Sequence, residues 1–341
     1  MPLDPSGLTS RNAFIPHVGW LEHEQGDEVI SLLRQGFFEA VEQAFVWLYL
    51  RPGDQFVDGG AHLGLYSVLA HRAGRGGVAV HSVEANPRTA DLLERNLLRN
   101  GVSGRVHRAA IWKEEGLVPF VQEAAGRSAY ARVDFTEGPW ETAVKAITVD
   151  GLIERQEMTE VALLKLDVEG AEPEALEGAA GAISSRLVRV FLVEFAEPNL
   201  QRRGFSTAQL GTLISRLGLT LCDFSPEERK LVPCSTENPI WFRNLVAARD
   251  PEEVEARLRA AEERNLEVAL DILARAAACD RLKELEDLDR YQRLASANEE
   301  WARNIEALLA REKELSATLR AWAEDAERRN EALKNAVGLG G

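Results

Sequence analysis

Acids punctuate the apolar runs of this chain. Asp58, Glu84, Asp167 and Glu194 each stand at or near the end of such a run, and Glu169 and Glu172 follow Asp167 closely. If the runs are parallel strands, a ligand binds outside their carboxyl ends, and acids placed there converge on one crevice. A carboxylate in a crevice can take the proton of a weak nucleophile such as a hydroxyl as that nucleophile attacks. Asp167 is the first candidate for such a base, Glu169 the second and Glu172 the third. Each acid also has a structural reading, because Asp and Glu cap helices at strand–helix turns. For Glu172 that reading is as good as the catalytic one, since an acid opening a helix is favoured by the dipole. The three together could instead hold a hard cation, although their spacing matches no established metal loop. His62, His81 and His107 are further candidate bases, but His81 and His107 fall inside strand patterns and read as structural.

The stretch Phe56–Ser67, FVDGGAHLGLYS, places Gly59, Gly60 and Gly64 after the first of these acids. Glycines let the chain turn tightly and let a ligand approach the backbone, and the helix that follows offers unpaired N–H groups. The spacing is not the G-x-G-x-x-G of a dinucleotide loop, and Asp58 would repel a pyrophosphate. A carboxylate there suits a ligand with a positive end, such as the amino group of S-adenosylmethionine. Glu84, in HSVEANP, then suits the ribose diol, by the logic used for nicotinamide cofactors. A tight turn with no ligand, and a nicotinamide-dependent oxidoreductase, are the competing readings.

These residues need elements to position them. Gln55–Asp58, Val78–Glu84, Arg105–Ala110, Ala162–Asp167 and Val188–Glu194 are near-continuous apolar runs, as expected of parallel strands covered on both faces. Helical patterns separate most of them, which predicts a doubly wound α/β sheet. Leu219–Phe224 and Trp241–Ala248 are expected to close one edge as a hairpin-like pair. Phe120–Val149 breaks the alternation and is expected to be an inserted hairpin or lid. With 341 residues, 45% hydrophobic and 28% charged, the chain has room for one large domain and an appendage. The net charge of −15 argues against nucleic acid as a partner. The cysteines Cys222, Cys234 and Cys279 fit neither a zinc site nor a disulfide framework. With no signal peptide at the N-terminus and no apolar run long enough to span a membrane, a cytoplasmic protein is expected.

The ordered set FVDGGAHLGLYS, HSVEANP, AAIW, LLKLDVEGAEPEALEGA and FLVEF resembles the FkbM-type, S-adenosylmethionine-dependent methyltransferases of class I. The resemblance covers about residues 45–248, and its most specific part is Lys165–Glu172. It implies a Rossmann-like seven-stranded sheet, and S-adenosylmethionine as cofactor. It implies that Asp58, Gly59, Gly60, His62 and Gly64 form the cofactor loop, that Glu84 binds the ribose, that Ala85 and Asn86 flank the adenosine, and that Ala109 and Ala110 border the adenine. Asp167 would lie where methyl donor and acceptor meet. His62 stands where the family often has Asn. The implied reaction is methyl transfer to a hydroxyl of a sugar, glycan or related natural product.

The composition changes near residue 249, after which Ala, Glu, Arg and Leu dominate. Trp301, Ile305, Leu308, Leu315, Leu319, Trp322 and Ala326 follow a heptad interrupted at Glu312, and Leu282, Leu285, Leu288, Tyr291 and Leu294 step by three. This predicts a coiled coil that forms a homo-oligomer or docks a partner protein through residues 251–336; a solvated single helix is the other reading. The expected organisation is residues 1–44 as an N-terminal segment near the acceptor, 45–248 as the catalytic domain, 249–337 as the helical region and 338–341 as a disordered end. A coiled-coil scaffold whose Rossmann-like domain binds ligand without turnover is the alternative function. Acceptor contacts are expected from Phe14–Tyr49 and Gln122–Trp140, where Trp20, Phe37, Phe38, Trp47, Tyr130 and Trp140 could stack on a sugar ring or simply pack.

Overall fold

A computed structural model of the protein describes residues 10–36, 38–122, 131–134, 142–278 and 313. It divides into two units, Met1–Ala276 and Ala277–Gly341. The heptad positions from Trp301 to Ala326, the Leu282–Leu294 run, Cys279, and the candidate contacts Phe37, Tyr130 and Trp140 all lie outside the described residues. So does the expected disordered end. No described helix is long and apolar enough to cross a membrane.

The first unit opens with a hairpin, β1 (Ser10–Ile15) and β2 (Gly19–Glu24), followed by α1 (Glu28–Gln35) and α2 (Ala40–Tyr49). The alternating part runs β3 (Gln55–Gly59), α3 (Leu65–Ala73), β4 (Ala79–Glu84), α4 (Pro87–Arg99), β5 (Arg105–Arg108). Next come β6 (Ala110–Ile111), β7 (Gly116–Val121), β8 (Arg132–Val133), β9 (Ala143–Ile147) and α5 (Val149–Arg155). The chain continues through β10 (Val161–Leu166), α6 (Glu172–Glu177), α7 (Ala180–Ser184), β11 (Val188–Phe195), α8 (Glu197–Gln201) and α9 (Thr207–Arg216). It closes with β12 (Thr220–Ser225), β13 (Lys230–Pro233), β14 (Arg243–Ala248) and α10 (Pro251–Arg259), then a helix over residues 263–278.

The main sheet has eight strands in the order β13-β12-β14-β11-β10-β3-β4-β5, not seven. The additional strand is β13, which pairs antiparallel with the free edge of β12. The five expected strands form its parallel part, but β5 is an edge strand with Arg105 and Arg108 exposed, so the third run is not the buried strand expected. β10 is buried along its whole length, as a strand covered on both faces must be. β12 and β14 do pair antiparallel, but β14 lies inside the sheet between β11 and β12, so the pair does not form the edge. The third run divides at Ala109: β5 stays in the main sheet, while β6 joins a second sheet of order β6-β9-β7-β8. That small sheet occupies part of the segment expected to be a hairpin or lid.

Helices cover both faces. One core layer joins Phe45, Leu48 and Tyr49 of α2 to Val68 and Leu69 of α3 and Leu93 of α4. The other gathers Leu152 of α5, Leu176 of α6, Ile183 of α7 and Leu210 of α9. Local signals set the helix ends. Asn86 caps α4 by accepting from Arg88 N, with Pro87 in the first turn. Asp27 caps α1 by accepting from Ile30 N at 3.0 Å, and Gly36 ends it in the left-handed region. Asn96 pins the N-terminal hairpin, exchanging hydrogen bonds with Glu22 at 2.6 and 3.0 Å while also reaching Leu63 O at 2.9 Å.

The composition change at residue 249 is not the limit of this unit. Val254 and Leu258 of α10, with Ala269 and Ile272 of the next helix, are buried in the first core layer. Asn265 donates to Ala73 O at 3.0 Å, and the His17 ring pairs with Asp271 at 2.6 Å.

Candidate functional site

A cavity of about 710 Å³ opens at the carboxyl ends of the central strands. The alternation of strand and helix dictates its place, because each strand must turn into its helix there. Gly60, His62, Glu84, Ala85, Ala109 and Ala110 of the expected cofactor set line it, as do Asp167 and Glu169 of the expected catalytic set.

Glu84 ends β4 with both oxygens held by backbone: His62 N donates to one at 2.9 Å and Asn86 N to the other at 2.8 Å. Burial pushes its carboxyl up to about 7 against those two hydrogen bonds. His62 adopts φ +48°, which brings its amide round to Glu84, and burial lowers its imidazole. Val83, Ala85, Ala109, Ala110 and Ile111 give the neighbouring wall an apolar surface.

Four expected cofactor residues are not among those lining the cavity. Asp58 is 1% exposed and turns toward α3, where Ser67 Oγ donates to it at 2.6 Å. Strand alternation fixes which way a side chain points, and at this position that direction is behind the loop. Burial raises its carboxyl, and its Oδ1 has no hydrogen-bond partner among the described residues. Asn86 is committed to capping α4. Gly59 and Gly64 are required by packing. A Cβ on Gly59 would meet Lys165 O at 2.8 Å, and one on Gly64 would meet Leu93 Cδ1 at 2.7 Å. Gly60, which does line the cavity, is needed for the same kind of reason: φ is +76° and an added Cβ would lie 1.7 Å from Asp167 O. The glycine loop is therefore shaped by the adjoining loop after β10.

That adjoining loop carries the three candidate bases, and they differ. Asp167 receives the Lys165 ammonium at 2.6 Å. Glu169 sits at φ +57° beside Gly170 at φ +97°. It accepts from Asn199 Nδ2 at 2.8 Å. Burial, with Asp167 and Glu172 nearby, holds its carboxyl well above the usual range. Glu172 does not line the cavity; it is 1% exposed and accepts from Val168 N at 3.0 Å and Gly170 N at 3.3 Å, bracing the turn. Its carboxyl is pushed up to about 7 by burial. His81 and His107 stack on each other, ring centroids 5.5 Å apart, and do not line the cavity.

Several groups escaped the sequence reading. Lys165 is 2% exposed, with its ammonium 4.7 Å from the Tyr66 ring centroid. Burial alone would lower its pKa, but Asp167, Glu39 and Asp58 overcome that and raise it. Glu39, just before α2 at φ +47°, accepts from Tyr66 Oη at 2.6 Å and from Asn244 Nδ2 at 2.8 Å; burial raises its carboxyl. Glu194, known from sequence only as a strand-ending acid, lines the cavity and is raised well above the usual range by burial and by Asp167. Of the nominated aromatics, Phe38 lines the cavity, Trp47 is buried core and Trp20 is 50% exposed on the hairpin.

This donor set fits S-adenosylmethionine. Desolvated carboxyls favour a cation, and the cofactor carries an ammonium and a sulfonium. Glu84, rigidly held, can accept from a diol, and the apolar wall can face a flat base. No group of three His, Cys, Asp or Glu side chains placed to hold a metal ion occurs among the described residues.

Residues 58–221 match the methyltransferase FkbM domain family. The 31-O-demethyl-FK506 methyltransferase FkbM of Streptomyces tacrolimicus is 28% identical over 170 residues, covering 41% of this chain and 65% of that protein. The crystal structure of methyltransferase FkbM from Methylobacillus flagellatus shares 16% identity at a TM-score of 0.40, over 58% of this chain and 44% of that one. An O-methyltransferase from Bacillus cereus in complex with SAH shares 13% identity at a TM-score of 0.34, over 63% of this chain and 80% of that one. Structural overlaps this loose carry no argument. The chain spans less than two thirds of the length of the first two relatives.

Proposed function

We propose, from the match of residues 58–221 to the methyltransferase FkbM domain family, that the protein transfers a methyl group from S-adenosylmethionine to a hydroxyl of a sugar, glycan or related natural product. The observation that supports a hydroxyl acceptor is Glu169: a cavity-lining carboxyl with a raised pKa, oriented by Asn199. A carboxyl whose pKa is raised is, once ionised, a stronger base toward a hydroxyl proton than an ordinary carboxylate.

S-adenosylmethionine bound there would supply an electrophilic sulfonium methyl group, the bonding pair returning to sulfur. Glu84 holds the ribose, while Ala85, Ala109 and Ala110 flank the base. Glu169 receives the acceptor's hydroxyl proton as the oxygen–methyl bond forms. Asp167, fixed by Lys165, sets the direction of approach, and positioning of this kind accounts for much of such a rate. Glu172 keeps the turn that carries Glu169 in shape and stands outside the chemistry.

Calorimetry with S-adenosylmethionine on wild type and Glu84→Ala tests the reading. The expected result is binding by wild type that weakens at least about tenfold in the variant, the loss of a charge-assisted pair of hydrogen bonds. Absence of binding by wild type would sink the methyltransferase assignment and leave the scaffold alternative.

A further inference from the structure

We infer that Phe242, which lines the cavity, forms with its chain neighbour Trp241 an acceptor platform on which a sugar ring of a glycoside packs. This rests on the transferase reading above and assigns residues beyond the matched range 58–221. Phe242 lines the cavity, and both rings are open to solvent, Trp241 at 68% and Phe242 at 64%.

The pair is not a loose loop tip. Just before it, Ile240 N donates to Thr207 Oγ1 at 3.1 Å and Ile240 O accepts from Glu197 N at 2.9 Å. Just after it, Arg243 pairs with Asp223 and Asn244 donates to Glu39 at 2.8 Å. Two large aromatic side chains are thus held on a fixed backbone without being buried. Full burial of such a side chain is worth about 1.5–3 kcal/mol, so folding alone does not account for their position. A pre-organised aromatic surface loses little freedom when a ligand covers it.

The polar groups beside the platform select the ligand class. Glu194, Asn199 and Asn244 line the same cavity, and Asn244 Oδ1 is buried with no hydrogen-bond partner among the described residues. A pyranoside offers C–H groups on one face and hydroxyls around its rim, matching an aromatic face bordered by a carboxylate and amides. A planar aromatic acceptor would cover the rings but bring fewer hydroxyls to Glu194, Asn199 and Asn244 than a pyranoside rim does.

The test compares wild type, Trp241→Ala, Phe242→Ala and Phe242→Tyr, with Leu98→Ala, 82% exposed on α4, as the surface control. Methyl pyranosides and simple disaccharides are the probes, with catechol as the planar competitor, and transfer is read by mass spectrometry. Glycoside methylation is expected, with KM raised about tenfold in each alanine variant, partial recovery in Phe242→Tyr, and S-adenosylmethionine affinity retained. Glycoside KM values unmoved by both alanine variants overturn the platform. So does transfer to catechol only, or no transfer to any glycoside by a protein that binds S-adenosylmethionine. Failure of wild type to bind S-adenosylmethionine would instead strike the transferase reading.

Discussion

Lys165 Nζ lies 2.6 Å from Asp167 Oδ2, with the lysine side chain 2% exposed and the aspartate side chain 20% exposed. The lysine is the penultimate residue of β10, and the aspartate begins the loop that carries Glu169. Desolvating an ammonium is costly by several kcal/mol unless it is paired, and here Asp167, Glu39 and Asp58 all oppose that cost. Lys165→Met removes the cation that these acids surround and leaves them facing one another. Breaking a buried pair from one side costs about 3–5 kcal/mol, so a large drop in melting temperature is expected. Glu39→Gln, which leaves the Asp167 pair in place, should lose much less. Equal losses in a thermal-shift series would overturn this ranking.

Two other buried acids of the site set a pH dependence. Burial raises Glu84 and Glu172 to about 7, from an ordinary value of 4.5. An acid raised in the folded state gives stability that is fully present below its unfolded pKa and lost as pH rises through its folded pKa. Each contributes on the order of 3 kcal/mol over that interval. Denaturant melts of the ligand-free protein should therefore show stability falling between about pH 4.5 and 7.5. Glu172→Gln should flatten the slope, because a neutral side chain cannot titrate. S-adenosylmethionine, as a cation, should recover part of the loss at the upper end. A ligand-free stability that rises across that range would contradict the electrostatic account.

Glu169 and Glu172 are separated by chemistry though they are close in sequence. Glu169→Gln removes the proposed base and should lower kcat by about 10²–10⁴-fold with cofactor affinity kept. Val168 N and Gly170 N both donate to the same Glu172 oxygen, which Glu172→Gln retains as its amide oxygen, so that variant should keep most of kcat. Glu172→Ala loses both contacts and is expected to cost about 1–3 kcal/mol of stability. Steady-state kinetics beside calorimetry decides it: a kcat loss in Glu172→Gln as deep as in Glu169→Gln would restore Glu172 to the chemistry.

The glycine positions separate close approach from backbone conformation alone. Gly60→Ala would place a methyl 1.7 Å from Asp167 O, and both atoms belong to backbone that cannot yield. Gly53 has φ +91° but nothing within 4 Å of an added Cβ. Gly53→Ala should cost only the conformational strain, about 1–2 kcal/mol, whereas Gly60→Ala should fail to fold or lose S-adenosylmethionine binding altogether. Similar melting temperatures for the two variants would show that the loop after β10 moves more easily than its packing implies.

Strand ends were legible because a strand buried on both faces must be apolar, so an acid closing it stands out. The face each acid occupies was not legible. Asp58 closes a strand as Glu84 does, yet points to Ser67. Glu39 was invisible for a different reason. It follows a glycine and two phenylalanines with no periodic pattern, and reaches the site only through the left-handed turn before α2. Glu172 was open to two readings because an acid at a helix start is favourable with or without chemistry; hydrogen bonds to Val168 N and Gly170 N resolve its position. β13 is short, with a single buried residue in four, and such a strand leaves almost no pattern.

The composition change near residue 249 was equally legible, but packing continues past it. Glu, Arg and Ala signal a helix, but they do not say what its apolar stripe packs against. Val254 and Leu258 lie one turn apart on α10, the spacing that puts two side chains on one face, and both are buried with Ala269 and Ile272 in the first core layer. Arg257 adds an ion pair to Asp54 and donates to Tyr49 O at 2.8 Å. A chain cut after Ala248 loses all of these and uncovers α2 and α3. Removing two buried aliphatic side chains of this size forfeits about 3–6 kcal/mol, a large fraction of the stability of an ordinary domain. A chain cut after Ala276 keeps them. The longer product should show a cooperative melt near that of the full chain and bind S-adenosylmethionine, while the shorter should melt far lower or aggregate. Comparable melts from the two products would place the limit of the folded unit at the composition change after all.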